Sequence, residues 1–233
     1  MTSNASNASN ADRVHRYPSD VAFSPTVKAM QERLGSRELY ARVERDHAWG
    51  VALTPEIQAF IGAQTSVFLG TANTEGQPYI QHRGGPAGFL HVVDEHTIAF
   101  ADFIGNQQYI TLGNLADNPK AHLFVIDYAR RRRVKIWGRA RVVDAAQDAA
   151  LLAQLMPPGY KARAERVIVF TVNAWDMNCP QHIPQRFEAA DVKSALEQRE
   201  ARIRELEEAA AQREARVREL EAENARLREG AAA

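Results

Sequence analysis

Residues 81–89, Gln-His-Arg-Gly-Gly-Pro-Ala-Gly-Phe, set a histidine and an arginine against a cluster of glycines. The planar guanidinium of Arg83 suits a phosphate or a carboxylate, and glycine lets the main chain approach a ligand or take a positive φ. The same residues also suit a tight turn with a solvated arginine. A second candidate is the Cys-x-x-His pair of Cys179 and His182, the spacing of half a metal site or of a thiol and its base. No second pair stands beside it, so no metal is expected, and Pro180 and Pro184 favour a stiffened, ordered loop.

A third candidate is a strand read face by face. With period two, Arg131, Arg133, Lys135, Trp137, Arg139 and Arg141 point one way, while Val134, Ile136, Gly138, Ala140 and Val142 point the other. The cationic face with one ring in its middle fits a solvated edge strand, a nucleic-acid surface, or a face crossed by an anionic small ligand or a partner subunit. Twenty-nine Lys and Arg balance twenty-nine Asp and Glu. A neutral chain without further exposed aromatics argues against nucleic acid as a partner.

The chain of 233 residues is long enough for one sizeable core and non-globular tails. Its single cysteine excludes an internal disulfide framework and suits a reducing compartment. There is no apolar run of the roughly 18 residues that a membrane span needs, nor an N-terminal apolar stretch of the kind a signal peptide has, so the expectation is a cytoplasmic protein with no membrane partner.

The elements that must hold these residues follow from periodicity and turn chemistry. Residues 1–19 are read as a disordered tail, with Asn4 and Asn7 in sequons that carry no weight without a secretion signal. A helical segment spans 20–53, with Val27, Met30, Leu34, Leu39 and Val43 as its apolar positions and a break near Gly35. Thr54 caps a further helix that has Pro55 at its first position. Extended runs follow at 66–81 and 89–101, each divided by a turn, then a short helix with Asn106 as its cap and Pro119 beyond its end. Strands at 121–127, 131–143 and 166–172 complete the core, with a helix from about Ala145 to Met156 before the Pro-Pro-Gly break. The expected fold is mainly β with short helices, an α+β protein built on a six-stranded antiparallel barrel.

The order Gly-Gln-Pro-Tyr-Ile-Gln-His-Arg-Gly-Gly, then Ala-Asp-Phe-Ile-Gly-Asn-Gln-Gln, then Arg-Arg-Arg-Val-Lys-Ile-Trp-Gly-Arg resembles the pyridoxamine 5'-phosphate oxidase-related, FMN-binding split β-barrel proteins, over roughly residues 54–186. The resemblance implies a split barrel at 54–190, a homodimer with FMN in the groove between barrels, and an oxidoreductase acting on an unknown small-molecule substrate or electron donor. A flavin, flavin-like or haem module without turnover is the alternative. Cofactor contacts implied by it are Gln81, His82, Arg83 and Gly84 on one strand, Ala101 and Asp102 at the end of another, Gly105, Asn106 and Gln107 in the phosphate turn, and Thr111 beyond it. Trp137 and Arg139 come from the cationic strand, and Trp175, His182 and Arg186 from a segment that would cover the flavin. Gln107 departs from the pattern, since many relatives carry Arg or Lys there. No catalytic residue is singled out, and no vitamin-phosphate site can be matched.

Residues 191–229 repeat Gln-Arg-Glu-Ala-Arg-(Ile/Val)-Arg-Glu-Leu-Glu at a spacing of two heptads. Ile203 at position a makes Leu196, Ala210, Val217 and Asn224 the other a residues and places Leu206, Leu220 and Leu227 at d. A parallel dimer then pairs Arg202 with Glu207, Arg216 with Glu221 and Glu223 with Arg228, which points to a C-terminal coiled coil. Arg199 and Arg213, also at d, weaken the first half. A single helix held by its own charge pairs is the competing reading.

Overall fold

The structure, a computed structural model, describes residues 17–46, 49–178 and 181–230. Most of the expected tail, and Cys179, lie outside them. The chain divides into a unit up to Ile183 and a unit from Pro184 onward.

After a 3-10 turn at Pro18–Val21, helices α1 (Pro25–Arg33) and α2 (Arg37–Arg45) are separated at Gly35, whose φ of 77° favours a residue without Cβ. Their apolar pattern does not face inward as expected. Val27, Met30, Leu34 and Leu39 are exposed, while Gln31 and Glu44 are buried. The physical reason is a charge cluster. Glu44 receives Lys28 Nζ at 3.0 Å and the Arg37 guanidinium, and Arg37 Nη1 donates to Gln31 Oε1 at 2.5 Å, so the polar sides of the two helices meet. Helix α3 (Pro55–Gly62) starts on Thr54, whose Oγ1 accepts from Ile57 N at 3.4 Å.

The core sheet has strands β1 (Ser66–Ala72), β2 (Pro78–Gly84), β3 (His91–Asp94), β4 (Thr97–Phe103), β5 (Lys120–Asp127), β6 (Arg132–Asp144) and β7 (Ala164–Asn178) in the order β2-β1-β5-β6-β7-β4-β3. Every paired neighbour is antiparallel. The sheet therefore has seven strands, not six. Both divided runs resolve into two-stranded hairpins, the short β3 pairing with β4 alone. The sheet is not closed, because β2 and β3 stand at opposite edges. Helices α4 (Ile110–Asp117) and α5 (Ala149–Leu155) connect strands. Helix α5 is shorter than expected because residues 145–148 turn back on Asp144, and Asp148 caps the helix by accepting from Leu151 N. The last described element is the 42-residue helix α6 (Ala189–Gly230). Among the described residues no helix is long and apolar enough to cross a membrane.

Two packed clusters explain the sheet. Inside, Val67, Leu69, Ile98, Phe100, Leu123, Ile136, Ile168 and Phe170 are almost fully buried with Phe89 and Leu90. On the other side, Ala99, Val143, Val167 and Val169 pack against Leu155 of α5. Alternation along β6 buries Val134, Ile136, Gly138 and Ala140 as expected, and its partner β7 shifts register between Trp137 and Gly138. A Cβ on Gly138 would lie 2.1 Å from the Thr171 carbonyl oxygen and 2.5 Å from the Phe170 ring. The outer face carries an aromatic ladder. Trp137 stacks on Trp49 at 4.7 Å, His122 meets the Trp137 ring edge at 4.9 Å, and Lys135 lies over both indoles. Burial, helped by Lys135, lowers the His122 pKa to about 4.

Two outcomes follow from this packing. Gly138→Ala is expected to cost about 1–3 kcal/mol in denaturant unfolding, because the intruding methyl meets backbone as well as a ring. A depressed histidine pKa contributes stability that is complete above the ordinary value of 6.5 and is lost as pH falls toward 4. Unfolding measured across that interval should decline less in His122→Gln than in the unsubstituted protein.

Candidate functional site

Residues that stand directly opposite in an antiparallel pair share a face. Val67 and Leu69, both in the core, oppose Arg83 and Gln81, so these two polar residues of β2 are on the interior side. Asp102 has the same parity on β4 as Ile98 and Phe100 and also points inward. The strands are not paired with one another, yet Arg83 Nη2 lies 3.1 Å from Asp102 Oδ1. This ion pair joins the edge strand β2 to β4, which stands next to the opposite edge of the sheet. Its alignment is imperfect: Arg83 Nε and Asp102 Oδ1 are buried and lack a hydrogen-bond partner.

A shallow cleft, open to solvent, lies above the pair, lined by Gln81, Arg83, Asp102, the loop 103–109, the start of α4, Glu165 and Arg166. Helix α4 is tied to the sheet by two side-chain bonds, a part-buried one from Thr111 Oγ1 to Gln81 Oε1 at 2.9 Å and a buried one from Asn114 Nδ2 to Thr71 Oγ1 at 3.0 Å. Asn106 is not its cap. The helix starts at Ile110, and Gln107 and Tyr109, with φ of 58° and 57°, hold the preceding loop in the left-handed region. Asn106 instead accepts from Gln108 N at 3.2 Å and organises that loop. Two non-glycine residues in that region are costly, and such conformations concentrate at ligand-binding loops. The free N–H groups at the start of α4 give this side of the cleft a positive dipole end.

Charge in the cleft is balanced. Arg166 stands opposite Asp102 in the β4–β7 pairing, with its Nε 3.1 Å from Asp144 and its Nη1 3.3 Å from Glu165. Its guanidinium lies 5.5 Å from the centre of the Tyr109 ring. Burial raises the Asp102 pKa, Arg83 and Arg166 oppose that shift, and Glu165 adds to it.

The cleft brings together Gln81, Arg83, Asp102, Gly105, Asn106, Gln107 and Thr111 from the expected set. The others are placed elsewhere. His82 opposes Phe68 on the outer face and is within 2.8 Å of Ser66 Oγ. Ala101 shares the face of Ala99, away from the cleft. Trp137 belongs to the outer aromatic ladder and Arg139 is exposed beyond it. Trp175 covers Gly50 and donates to the Ala52 carbonyl, which fastens the N-terminal segment to the sheet. His182 is exposed with a φ of 62°, and Arg186 belongs to the second unit. The glycines serve the fold directly: a Cβ on Gly84 would meet the His82 ring at 2.9 Å, and one on Gly85 would meet Phe89 at 2.7 Å.

Arg166, Glu165 and Tyr109 were missed. Arg166 has the parity of the buried Ile168 and Phe170, so an inward charge at the mouth of an otherwise apolar strand was the available signal. Among the described residues no group of three His, Cys, Asp or Glu is placed to hold a metal.

No curated protein matches the chain. Solved structures that it is similar to include tagged HupZ of Group A Streptococcus, with 22% identity over 57% of this chain and 98% of that one and a TM-score of 0.41. An FMN-binding protein of Syntrophomonas wolfei shares 15% over 64% and 97%, with a TM-score of 0.43. A Clostridium acetobutylicum protein related to general stress protein 26, of the pyridoxinephosphate oxidase family, shares 15% over 59% and 94%, with a TM-score of 0.40. The family model described as pyridoxamine 5'-phosphate oxidase matches residues 53–179. Because that match takes in more than half of the 233 residues, including every strand of the sheet, the chain belongs to the pyridoxamine 5'-phosphate oxidase family.

Proposed function

We propose that the protein is a flavin-dependent oxidoreductase that holds FMN in the cleft above the Arg83–Asp102 pair. The observation that carries this reading is the convergence of Arg83, the left-handed loop at Gln107 and Tyr109 and the start of α4 on one opening. These groups fit a phosphate: a guanidinium with a buried, unpartnered Nε, and helix N–H groups with a favourable dipole. Arg83 and the 105–107 turn would hold the phosphate, with Gln81 and Thr111 fixing the wall beside it. The bound flavin would supply the hydride chemistry, while the protein orients it and excludes water. The substrate or electron donor is a small molecule whose identity this set of residues does not specify.

Two measurements test the reading. The absorption spectrum of the purified protein should show two flavin bands, with FMN identified by mass after denaturation; a Soret band would instead favour a haem module. Arg83→Ala should weaken FMN binding at least about tenfold in a fluorescence titration, since a charge-assisted contact contributes roughly 1.5–3 kcal/mol. Unchanged affinity would remove Arg83 from the phosphate site.

The same proposal includes a homodimer with α6 as a parallel, in-register coiled coil. It is supported by one stripe of exposed apolar residues along the helix, Leu196, Ile203, Leu206, Val217, Leu220 and Leu227. The g-to-e′ charges described above match in sign only in parallel register. Pairs within one helix, such as Arg202 with Glu205 at 2.8 Å and Arg216 with Glu219 at 3.0 Å, would sustain a solitary helix equally well. In a Cys179→Ser background, Leu220→Cys should cross-link between chains on mild oxidation and Glu219→Cys, on the outward face, should not. Absence of the Leu220→Cys dimer would exclude the parallel register.

A further inference from the structure

The cleft has cations but no spare one. Arg83 is turned onto Asp102, and Arg166 is held by Asp144 and Glu165. The turn residue that could have added a charge is Gln107. An arriving phosphate would therefore meet a guanidinium already paired with a carboxylate, and Asp102 is only 8% exposed. Its Oδ1 has no hydrogen-bond donor to hold it in the ionised form. Two anions side by side where water is excluded repel strongly, and sharing one proton removes the conflict.

Resting on the reading that Arg83 meets a phosphate, we propose that Asp102 competes with the ligand for the Arg83 guanidinium, so that the cleft accepts the phosphate as Asp102 accepts a proton. The proton passes from hydronium or a buffer acid in solvent to the Asp102 carboxylate, forming its O–H bond as the bond in the donor breaks, Arg83 turns from it to the incoming anion, and no other covalent bond changes. The charged groups that face Asp102 are Arg83 from β2 and Arg166 and Glu165 from β7. Both arginines favour its ionised form and Glu165 disfavours it. An anion that draws Arg83 away removes the nearer of the two opposing cations. Burial already raises the proton affinity of Asp102, which lowers the cost of that step.

Linkage fixes the sign. If binding takes up a proton, affinity falls as pH rises between the pKa of free Asp102 and its higher pKa in the complex, by up to about tenfold per pH unit. Asp102→Asn keeps the shape and cannot ionise. Titrations of the full-length protein with FMN and with riboflavin, which has the same ring system and no phosphate, separate the phosphate from the flavin. The Asn variant should bind FMN at least about tenfold more tightly at pH 8, with riboflavin affinity unchanged. Calorimetry in two buffers of different ionisation enthalpy should count about one proton taken up by the unsubstituted protein per FMN and none by the variant.

The unsubstituted protein's proton count needs no variant, so a poorly folded Asp102→Asn would leave the test intact. Zero proton uptake, or FMN affinity unchanged or weakened in Asp102→Asn, would overturn the proposal and leave Asp102 as a support for Arg83, with the flavin reading intact. FMN binding to the variant alone would support it. If neither protein binds FMN, the flavin reading falls and inorganic phosphate decides the rest. Thermal stabilisation of Asp102→Asn by phosphate beyond that of the unsubstituted protein supports the competition, and an equal response of the two, including no response, overturns it.

Discussion

Strands at opposite ends of the open sheet are joined by a contact between charges, Arg83 with Asp102 at 3.1 Å. The strands that carry them lie on opposite sides of a sheet whose order leaves β2 and β3 as edges, so no backbone ladder can join them. A closed barrel would satisfy those edges with hydrogen bonds. Here the sheet stays open, the Arg83–Asp102 pair joins β2 to β4, and the cleft lies above that pair. The polar site and the incomplete closure are thus one feature, because a guanidinium and a carboxylate can occupy the interior parity of their strands only where the apolar core stops.

Around that opening, small groups secure the geometry. Thr111 and Asn114 bind α4 to β2 and β1 through hydroxyl and amide bonds, and in the buried bond of Asn114 to Thr71 an unmet partner would cost more than the bond itself contributes. The left-handed residues before α4 bend the chain so that the helix starts at the rim. Immediately after Arg83, the glycines let residues 85–90 fold tightly enough for Phe89 and Leu90 to enter the core. Trp49 laid on Trp137 on the outer face, and Trp175 laid on Gly50 at the border of the core, attach the segment before the sheet, so two rings that look like cofactor contacts are occupied by the protein's own backbone and side chains.

The α1–α2 pair shows the opposite balance. Its buried members are charged or amide-bearing, and its aliphatic residues face outward. Two cations and a carboxylate, Lys28, Arg37 and Glu44, can meet their desolvation cost together, where a carboxylate buried alone would not. Hydrophobic periodicity assumes that the apolar side is the one that packs. Charge pairing between two short helices reversed that assumption.

What the sequence determined by itself is what depends on neighbours in the chain. Alternation along β6, the Thr54-Pro55 helix start, the Gly35 break and the two hairpins are fixed by side-chain parity, capping and turn chemistry within a few residues. The motif order carried the family, and Arg83, Asp102 and the 105–107 turn with it. Tertiary structure decided what depends on distant residues: that the sheet has seven strands and stays open, that His82 and Ala101 turn away from the residues beside them, that Trp137 and Trp175 are used for packing, and that Arg166 joins the cleft. Asn106 failed as a cap because the conformation of Gln107 and Tyr109 moved the helix start three residues past the local signal. The physical reason is common to these cases. A residue's type fixes what it can bond to, but the ion pair between β2 and β4, the face that is covered and the ring that is already stacked are set only when strands far apart in sequence are brought together.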